Sequence, residues 1–408
     1  MPFQEKITNP DDVTTSNPIN QVVFPIIYLL SLPGLYAKRK KLLLLITNEK
    51  YLTLFLFWCL LTISWSDFPV VSIKRWIQVL GTAIVSSSFL LHVDSANKAL
   101  RYFKAVLTIY IPLCLLAILL IPGAIQWEFP AWRGLASHKN SLGQISLISS
   151  IIWFAAFRSS SHIGRIWSAI LLLISLVLLL GSRSATSILA FILIASLGAL
   201  GFIDSHLSTL RIGRAFSILV LTTFISSFMT SIYLEPDLMS SIFNAFGKES
   251  TFTGRTDLWA EILKEAKGHL FIGCGFEGFW VVGNDSFMSL YTDLSWLTNQ
   301  AHQGYLDLLN ETGLIGLVLL ILMVVFYFKN LSNLRKPHLW KWFVVIALIV
   351  NFQESTLFRI NTLTGVLFTF SYLVLYVERI NQVGQVGFAR RVKLACPKVL
   401  TSTISVPS

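Results

Sequence analysis

The segment from Ala301 to Gly316 combines one titratable side chain with a fixed pattern of glycines. His302 stands directly before Gln303, and Gly313 and Gly316 follow where the chain turns apolar. Histidine has an ordinary pKa of about 6.5, so it can accept or release a proton near neutral pH. His302, at the boundary between a polar loop and an apolar helix, is therefore a candidate general base. A lone histidine here is equally compatible with a solvated loop or an interfacial anchor.

Four cations lie in loops that the distribution of Lys and Arg assigns to the same side as His302. They are Arg75, Lys139, Arg183 and Arg255. Loops on the extracytoplasmic side of a membrane protein usually carry few cations, so each of these four is a candidate for a functional role. A guanidinium can hold a phosphate through two parallel hydrogen bonds. Together, the four cations would suit the binding of a pyrophosphate leaving group. Alternatively, each cation extends to lipid headgroups or pairs with an acidic side chain.

Other motifs point to neither a cofactor nor a metal. Gly273-Cys-Gly-Phe-Glu-Gly278 has the glycine spacing of a dinucleotide-binding turn, but no strand–helix unit surrounds it. We therefore interpret it as a tight turn that packs the loop. The loop has no Asp-x-Asp pair and no His-x-x-x-His, so we expect a metal-independent reaction without a cofactor. Cys274 has no partner in the loop for a disulfide.

The elements that must position these residues are membrane helices. Of the 408 residues, 54% are hydrophobic and 13% are charged, whereas soluble proteins carry about 25% charged residues. The apolar residues form separate blocks, each long enough to cross a bilayer. The sequence predicts an all-α, polytopic transmembrane helix bundle with about eleven spans, within a range of ten to twelve. They lie near 22–37, 45–65, 76–92, 105–122, 143–158, 166–180, 185–203, 215–233, 312–328, 342–353 and 362–377. The stretch from Leu42 to Trp65 is either one tilted helix or a short re-entrant piece followed by a span.

The division of the chain follows from these blocks. We expect a polar N-terminal tail at 1–21, transmembrane helices at 22–233, a long extracytoplasmic loop at 234–311, further helices at 312–377 and a basic cytoplasmic tail at 378–408. This orientation places Lys and Arg mainly in the cytoplasm. It puts the N-terminus outside, and no cleavable signal peptide is apparent. Cytoplasmic loops rich in Lys and Arg explain the net charge of +11. Nucleic-acid binding is therefore not expected.

The long loop also predicts one amphipathic helix, from Arg255 to Lys267. Its apolar positions at helical spacing would lie on the membrane surface or cap the bundle. These positions are Leu258, Trp259, Ile262, Leu263 and Ala266.

Several passages resemble the bacterial O-antigen ligase and O-antigen polymerase superfamily. His302-Gln303, nine residues and Gly313-x-x-Gly316 match its histidine motif at every defined position. The other passages are individually weaker but occur in the expected order. They are Ser64-Trp-Ser66 with Arg75, Gly134–Gly143 around His138-Lys-Asn140, Gly181-Ser-Arg-Ser184, Gly254-Arg-Thr-Asp-Leu-Trp259, Gly273-x-Gly275 and Asn351-Phe-Gln-Glu-Ser355. His138-Lys-Asn140 is similar to the exopolysaccharide polymerase-like members.

The resemblance implies an inverting membrane glycosyltransferase of the GT-C-like type in the bacterial inner membrane, with its active site facing the periplasm. The implied donor is an undecaprenyl-pyrophosphate-linked glycan, and the acceptor is a glycan or a lipid. His302 would deprotonate or orient the acceptor, while Arg255, Arg183, Arg75 and Lys139 would hold the pyrophosphate. The implied biology is exopolysaccharide or O-antigen (lipopolysaccharide) biosynthesis, with membrane lipid, a chain-length regulator and export proteins as further partners.

Three alternatives remain at this point. A lipid-linked glycan transporter or flippase would usually show midplane charges and internal repeats, which this sequence lacks. A ligase would transfer the glycan to lipid A core or to protein, whereas a polymerase would extend a lipid-linked glycan. Polymerase is favoured only by the His138-Lys-Asn140 resemblance. An inactive scaffold is opposed by the presence of both His302 and Arg255.

Overall fold

The described part of the chain is almost entirely helical. The computed structural model describes residues 18–126, 131–206, 252–294, 300–331, 339–359 and 362–395. In these ranges the helices are α1 (Pro18–Ala37), α2 (Arg39–Asn48), α3 (Lys50–Thr62), α4 (Pro69–Val93), α5 (Ala96–Leu120), α6 (Lys139–Ser159), α7 (His162–Gly181), α8 (Ala185–His206), α9 (Phe252–Ala266), α10 (Asp285–Leu294), α11 (Gly304–Leu331), α12 (Trp340–Val350) and α13 (Leu363–Ala395). Two short antiparallel strands, β1 (Ile125–Gln126) and β2 (Ala131–Trp132), lie between α5 and α6.

Within these described ranges, six helices are long and apolar enough to cross a membrane. They are α4, α5, α6, α7, α11 and the Leu363–Gln382 part of α13. Helices α1 and α2 together add a seventh candidate, bent by 97°. The six helices coincide with the spans predicted near 76–92, 105–122, 143–158, 166–180, 312–328 and 362–377. The prediction of a polytopic helical membrane protein is thus confirmed.

The number of spans, eleven, stays a prediction. The apolar helices at Lys50–Trp65 and Trp340–Val350 are shorter than a bilayer requires. The span predicted at 215–233 lies outside the described residues, as do most of the N-terminal tail, the start of the long loop and the end of the C-terminal tail.

The predicted span at 45–65 is divided in the structure. Glu49 separates α2 from α3 and caps the latter, because its carboxylate accepts hydrogen bonds from the backbone N–H groups of Leu52, at 3.2 Å, and Thr53, at 3.1 Å. Helix α3 therefore begins at Lys50. The first amides of a helix have no partner within it, so an acceptor at this position favours a new helix start.

Helix α13 lies at the centre of the bundle. Its apolar stretch is mostly buried, and its contacts include α12, α4, α11 and α6. A run of buried aromatic side chains lines it, including Phe368, Phe370, Tyr372 and Tyr376. Helices α5 and α11 instead bury only a small share of their spans, which is expected where a helix faces lipid.

The long loop forms a second, smaller core above the bundle. Helix α9 packs against α10 and the start of α11, so it caps the bundle. Its side chains Leu258, Trp259, Ile262 and Ala266 are buried as predicted. Leu263, which the sequence places on the same apolar face, is 42% exposed.

Candidate active site

His302 is paired with a carboxylate from a distant part of the chain. Its Nδ1 lies 3.3 Å from Oε2 of Glu354, in the segment that follows α12. The two side chains are 26% and 12% exposed, so both are accessible from one side only. A carboxylate only accepts hydrogen bonds, so this contact is a hydrogen bond when Nδ1 carries the proton. In that tautomer Nε2 keeps its lone pair and can act as a base.

Glu354 also connects His302 to the beginning of α6. Its Oε1 accepts a hydrogen bond of 2.7 Å from Nδ2 of Asn140, while Oε2 accepts one of 3.4 Å from Nε2 of Gln300. The neighbouring residue Gln353 accepts a hydrogen bond of 2.7 Å from the hydroxyl of Thr186, at the start of α8. Three separate parts of the sequence therefore meet around the imidazole.

Two of the four predicted cations belong to this arrangement. Lys139 is the first residue of α6 and precedes Asn140, and its positive charge lies close enough to Arg183 for the two to repel each other. Arg183 is exposed and adopts a positive φ of 48° in the turn between α7 and α8. The turn can approach α6 because Gly143 has no side chain: a Cβ there would lie 2.7 Å from Cβ of Ser184. Two positive charges near each other are a candidate site for an anionic ligand.

The other two predicted cations are placed differently. The guanidinium of Arg75 donates hydrogen bonds to the backbone oxygens of Glu277, at 2.6 Å, and Trp280, at 3.3 Å. Its Nε also lies 3.6 Å from a carboxylate oxygen of Glu277. Arg75 thus binds the long loop to the start of α4. Arg255 falls within α9, and its side chain lies outside the described part of the structure.

The backbone around His302 is held at both ends. His302 itself has a φ of 51°, a conformation that a residue other than glycine rarely adopts. The oxygen of Ala301 accepts a hydrogen bond of 2.8 Å from the indole of Trp259 on α9. The N–H of Gly304 donates one of 2.8 Å to the oxygen of Asn351. A strained residue fixed by its neighbours is a frequent feature of functional sites.

The remaining residues of the histidine motif shape the helix that follows. The side-chain oxygen of Gln303 accepts a hydrogen bond from the N–H of Leu306 and so caps α11. Gly313 has a φ of 68° and a ψ of −172° and breaks α11. A Cβ there would lie 2.2 Å from the oxygen of Phe271. At Gly316, a Cβ would lie 1.9 Å from the hydroxyl oxygen of Thr312. Gly313 therefore permits close packing between the long loop and the kinked helix, whereas Gly316 leaves room for a side chain of the same helix.

The glycine turn also behaves as predicted. Gly273 and Gly275 have positive φ values of 74° and 114°. A Cβ at Gly273 would lie 2.3 Å from the backbone of Glu311. The turn packs the loop directly against α11.

A buried ionic network lies beneath this packing. Arg359, 13% exposed, places Nη2 2.7 Å from Oε1 of Glu311 and 3.4 Å from Oδ2 of Asp307. Its Nη1 lies 3.5 Å from Oε1 of Glu277. Burial alone would lower the pKa of Arg359, but the three carboxylates outweigh that effect and raise it above its usual range. The network contains three carboxylates and, with Arg75, two guanidinium groups.

Sequence reasoning missed Glu354, Asp307 and Arg359. A signal existed for the first, because Asn351–Ser355 was among the passages that resemble the superfamily, but nothing in the passage indicated a role. Asp307 follows His302 by five positions, inside the spacer of the histidine motif, where any residue fits the pattern.

Comparisons with known proteins agree with this arrangement. Residues 147–321 match the O-antigen ligase family. The exopolysaccharide production protein ExoQ of Rhizobium meliloti is 26% identical over 79% of this chain and 75% of its own length. The ComP-specific O-oligosaccharyltransferase of Acinetobacter baylyi is 30% identical over 30% of this chain and 24% of its own length. The resemblance to the O-antigen ligase and polymerase superfamily that the motifs predicted is therefore confirmed by a family match over residues 147–321. The family and these relatives support glycan transfer or polymerisation by a multi-pass membrane enzyme.

Proposed function

We propose that the protein is a membrane glycosyltransferase that polymerises glycan carried on undecaprenyl pyrophosphate, at the periplasmic face of the inner membrane, for exopolysaccharide synthesis. The observation that carries the proposal is the connection from His302 through Glu354 to Asn140. It supports a site that combines a base with two cations, because Asn140 directly follows Lys139, which lies near the charge of Arg183. A base and an anion-binding site side by side are what a glycosyl transfer from a pyrophosphate donor requires.

His302 accepts the proton of the acceptor hydroxyl on Nε2. The acceptor oxygen then forms a bond to the anomeric carbon of the donor, and the bond from that carbon to the pyrophosphate oxygen breaks. The electron pair leaves with the undecaprenyl pyrophosphate. Glu354, hydrogen-bonded to Nδ1, fixes the tautomer and stabilises the charge that the imidazole gains. Attack from the face opposite the leaving group inverts the anomeric centre.

Arg183 and Lys139 stabilise the negative charge that the pyrophosphate develops as it leaves. Arg183 supports this role because it is exposed at the turn rather than buried in the ionic network. Arg255 remains a further candidate from the sequence. Arg75 is not included, since the long loop already occupies its guanidinium.

The proposed topology places the long loop and His302 outside the cytoplasm. A reporter fused within 280–295 should give a periplasmic signal. A cytoplasmic signal there would contradict both the orientation and the proposed location of the site.

The proposal of polymerisation rather than ligation is supported by how much of this chain one relative matches. The exopolysaccharide production protein matches over most of this chain, whereas the oligosaccharyltransferase matches over less than a third. A chain-length regulator and export proteins would then act beside the enzyme as partners.

The test is a transfer assay with purified protein, a lipid-pyrophosphate oligosaccharide and a chelator in place of divalent metal. The wild type should lengthen the lipid-linked glycan, and His302→Ala should lose about 10²- to 10⁴-fold in rate. His269→Ala is a matched control, because that histidine contacts Asn310 instead of Glu354. Transfer to an added lipid or protein acceptor without lengthening would make the protein a ligase. Donor binding without transfer to any acceptor would instead favour a transporter.

A further inference from the structure

A single buried carboxylate touches both segments that carry the proposed catalytic pair. Asp307 is 1% exposed. Its Oδ2 accepts a hydrogen bond of 3.1 Å from the N–H of Ala301, and the same oxygen accepts one from the hydroxyl of Ser355. Ala301 precedes His302, and Ser355 follows Glu354. The residues next to His302 and Glu354 therefore bind the same oxygen atom, Ala301 through its backbone and Ser355 through its hydroxyl.

We propose that Asp307 is the positioning residue that fixes His302 and Glu354 relative to each other. This inference rests on the proposed function of that pair. Asp307 contacts neither side chain directly, so it acts only through the backbone segments that carry them. Small displacements of a catalytic group change rates strongly, since about 1 Å can cost on the order of 100-fold.

Asp307 is itself held from two further directions. Its Oδ1 accepts a hydrogen bond of 2.8 Å from the indole of Trp280, and Nη2 of Arg359 lies 3.4 Å from Oδ2. One partner belongs to the long loop and the other follows α12. A carboxylate suits this position because it accepts several hydrogen bonds at once and offers no donor that would oppose them.

Asp307→Asn separates positioning from general stability. The amide keeps the size of the side chain but has one acceptor oxygen, so it cannot bind the indole of Trp280 and the hydroxyl of Ser355 as the carboxylate does. We expect kcat to fall about 10- to 100-fold. The KM for the donor should be unchanged, because no proposed pyrophosphate ligand contacts Asp307.

Glu311→Gln is the matched control. Glu311 is 2% exposed and binds the same guanidinium of Arg359, but it contacts neither Ala301 nor Ser355. Each substitution removes one of the three carboxylates of the ionic network. Two carboxylates then remain to pair with the two arginines. Thermal unfolding in detergent should therefore respond similarly to both substitutions, whereas kcat should fall only for Asp307→Asn.

A double-mutant cycle with Glu354→Gln provides the decisive readout. If Asp307 acts through the pair, Asp307→Asn should add little to the loss already caused by Glu354→Gln. The pH–rate profile of Asp307→Asn should coincide with that of Glu354→Gln, while Glu311→Gln keeps the wild-type profile. If Asp307→Asn does not fold, Ser355→Ala should give a smaller loss of kcat. Its pH–rate profile should differ from that of the wild type in the same direction as the profile of Glu354→Gln.

Two results would overturn the inference. The first is a kcat of the Asp307→Asn, Glu354→Gln double mutant that falls by the product of the two single losses. The second is an equal loss of kcat in Asp307→Asn and Glu311→Gln. Either result, together with the expected loss in His302→Ala, would leave the proposed function standing and remove only the positioning role. Full activity in His302→Ala would instead refute the proposed function.

Discussion

Replacing Glu354 with glutamine isolates the charge next to His302. Glutamine has nearly the same shape, and its remaining oxygen can still accept the hydrogen bond that Asn140 donates to Oε1. The amide nitrogen then replaces Oε2, which lies 3.3 Å from Nδ1 of His302. An amide N–H cannot accept a proton from Nδ1, so the substitution removes the acceptor and the negative charge together.

The expected loss of rate in Glu354→Gln follows from the exposure of the His302 and Glu354 side chains and from the distance between them. Unit charges about 4 Å apart attract by roughly 4 kcal/mol at the dielectric typical near a protein surface, which sets an upper limit. A hydrogen bond to a charged group contributes about 1.5–3 kcal/mol to stability, and the small exposure of both side chains fits this range. Since about 1.4 kcal/mol changes a rate tenfold, Glu354→Gln should slow transfer about 10- to 150-fold.

The measurement is the initial rate of glycan transfer at saturating donor. Glu265→Gln is the control, because Glu265 is a half-buried glutamate that accepts a hydrogen bond from Ser286, away from the proposed pair. It should retain the wild-type rate. A Glu354→Gln enzyme as fast as this control would refute the argument that the carboxylate assists His302.

Three further predictions concern pH, the anion site and the fold. The transfer rate should fall in acid, since protonated His302 cannot accept a proton; a flat pH–rate profile would exclude histidine as the base. Arg183→Lys keeps the charge but loses the two-pronged hydrogen bond, so the KM for the donor in the same assay should rise about tenfold; an unchanged KM would mean that the guanidinium geometry is not used. Gly313→Ala should lower the free energy of unfolding by at least ~1–3 kcal/mol because of its positive φ. Differential scanning fluorimetry should show no comparable change for Gly268→Ala, where a Cβ has free space.

The sequence was sufficient for the features that depend on local pattern. Apolar blocks of bilayer length became the candidate spans, because hydrophobicity over about 20 residues decides whether a helix can cross a membrane. Helical spacing of apolar residues likewise predicted the amphipathic helix from Arg255 to Lys267, which the structure shows as Phe252–Ala266. The motif identified His302 because its spacing recurs in the superfamily.

Features that depend on distant parts of the chain were not predictable in this way. Glu354 is 52 positions from His302, and the two meet where the start of α11 contacts the end of α12, through the hydrogen bonds from Gly304 to Asn351 and from Tyr305 to Leu348. The same holds for Arg75: its position in an outer loop suggested a phosphate ligand, yet the folded loop supplies acceptors for its guanidinium. A charge pattern therefore indicates where cations lie, whereas tertiary contacts decide which of them remain available to a substrate.

This distinction explains why the ionic network and the anion site are separate. Arg359 lies within 4 Å of three carboxylates, so an added phosphate would have to displace groups that are already buried and paired, at a large cost in free energy. Arg183, exposed beside Lys139, faces no such competition in the described part of the structure. Under the proposed function, arginine would serve in two ways: buried arginines would fix the geometry of the backbone near His302, and the exposed Arg183 would remain for the leaving group. Exchanging these roles would weaken both the position of the base and the binding of the donor.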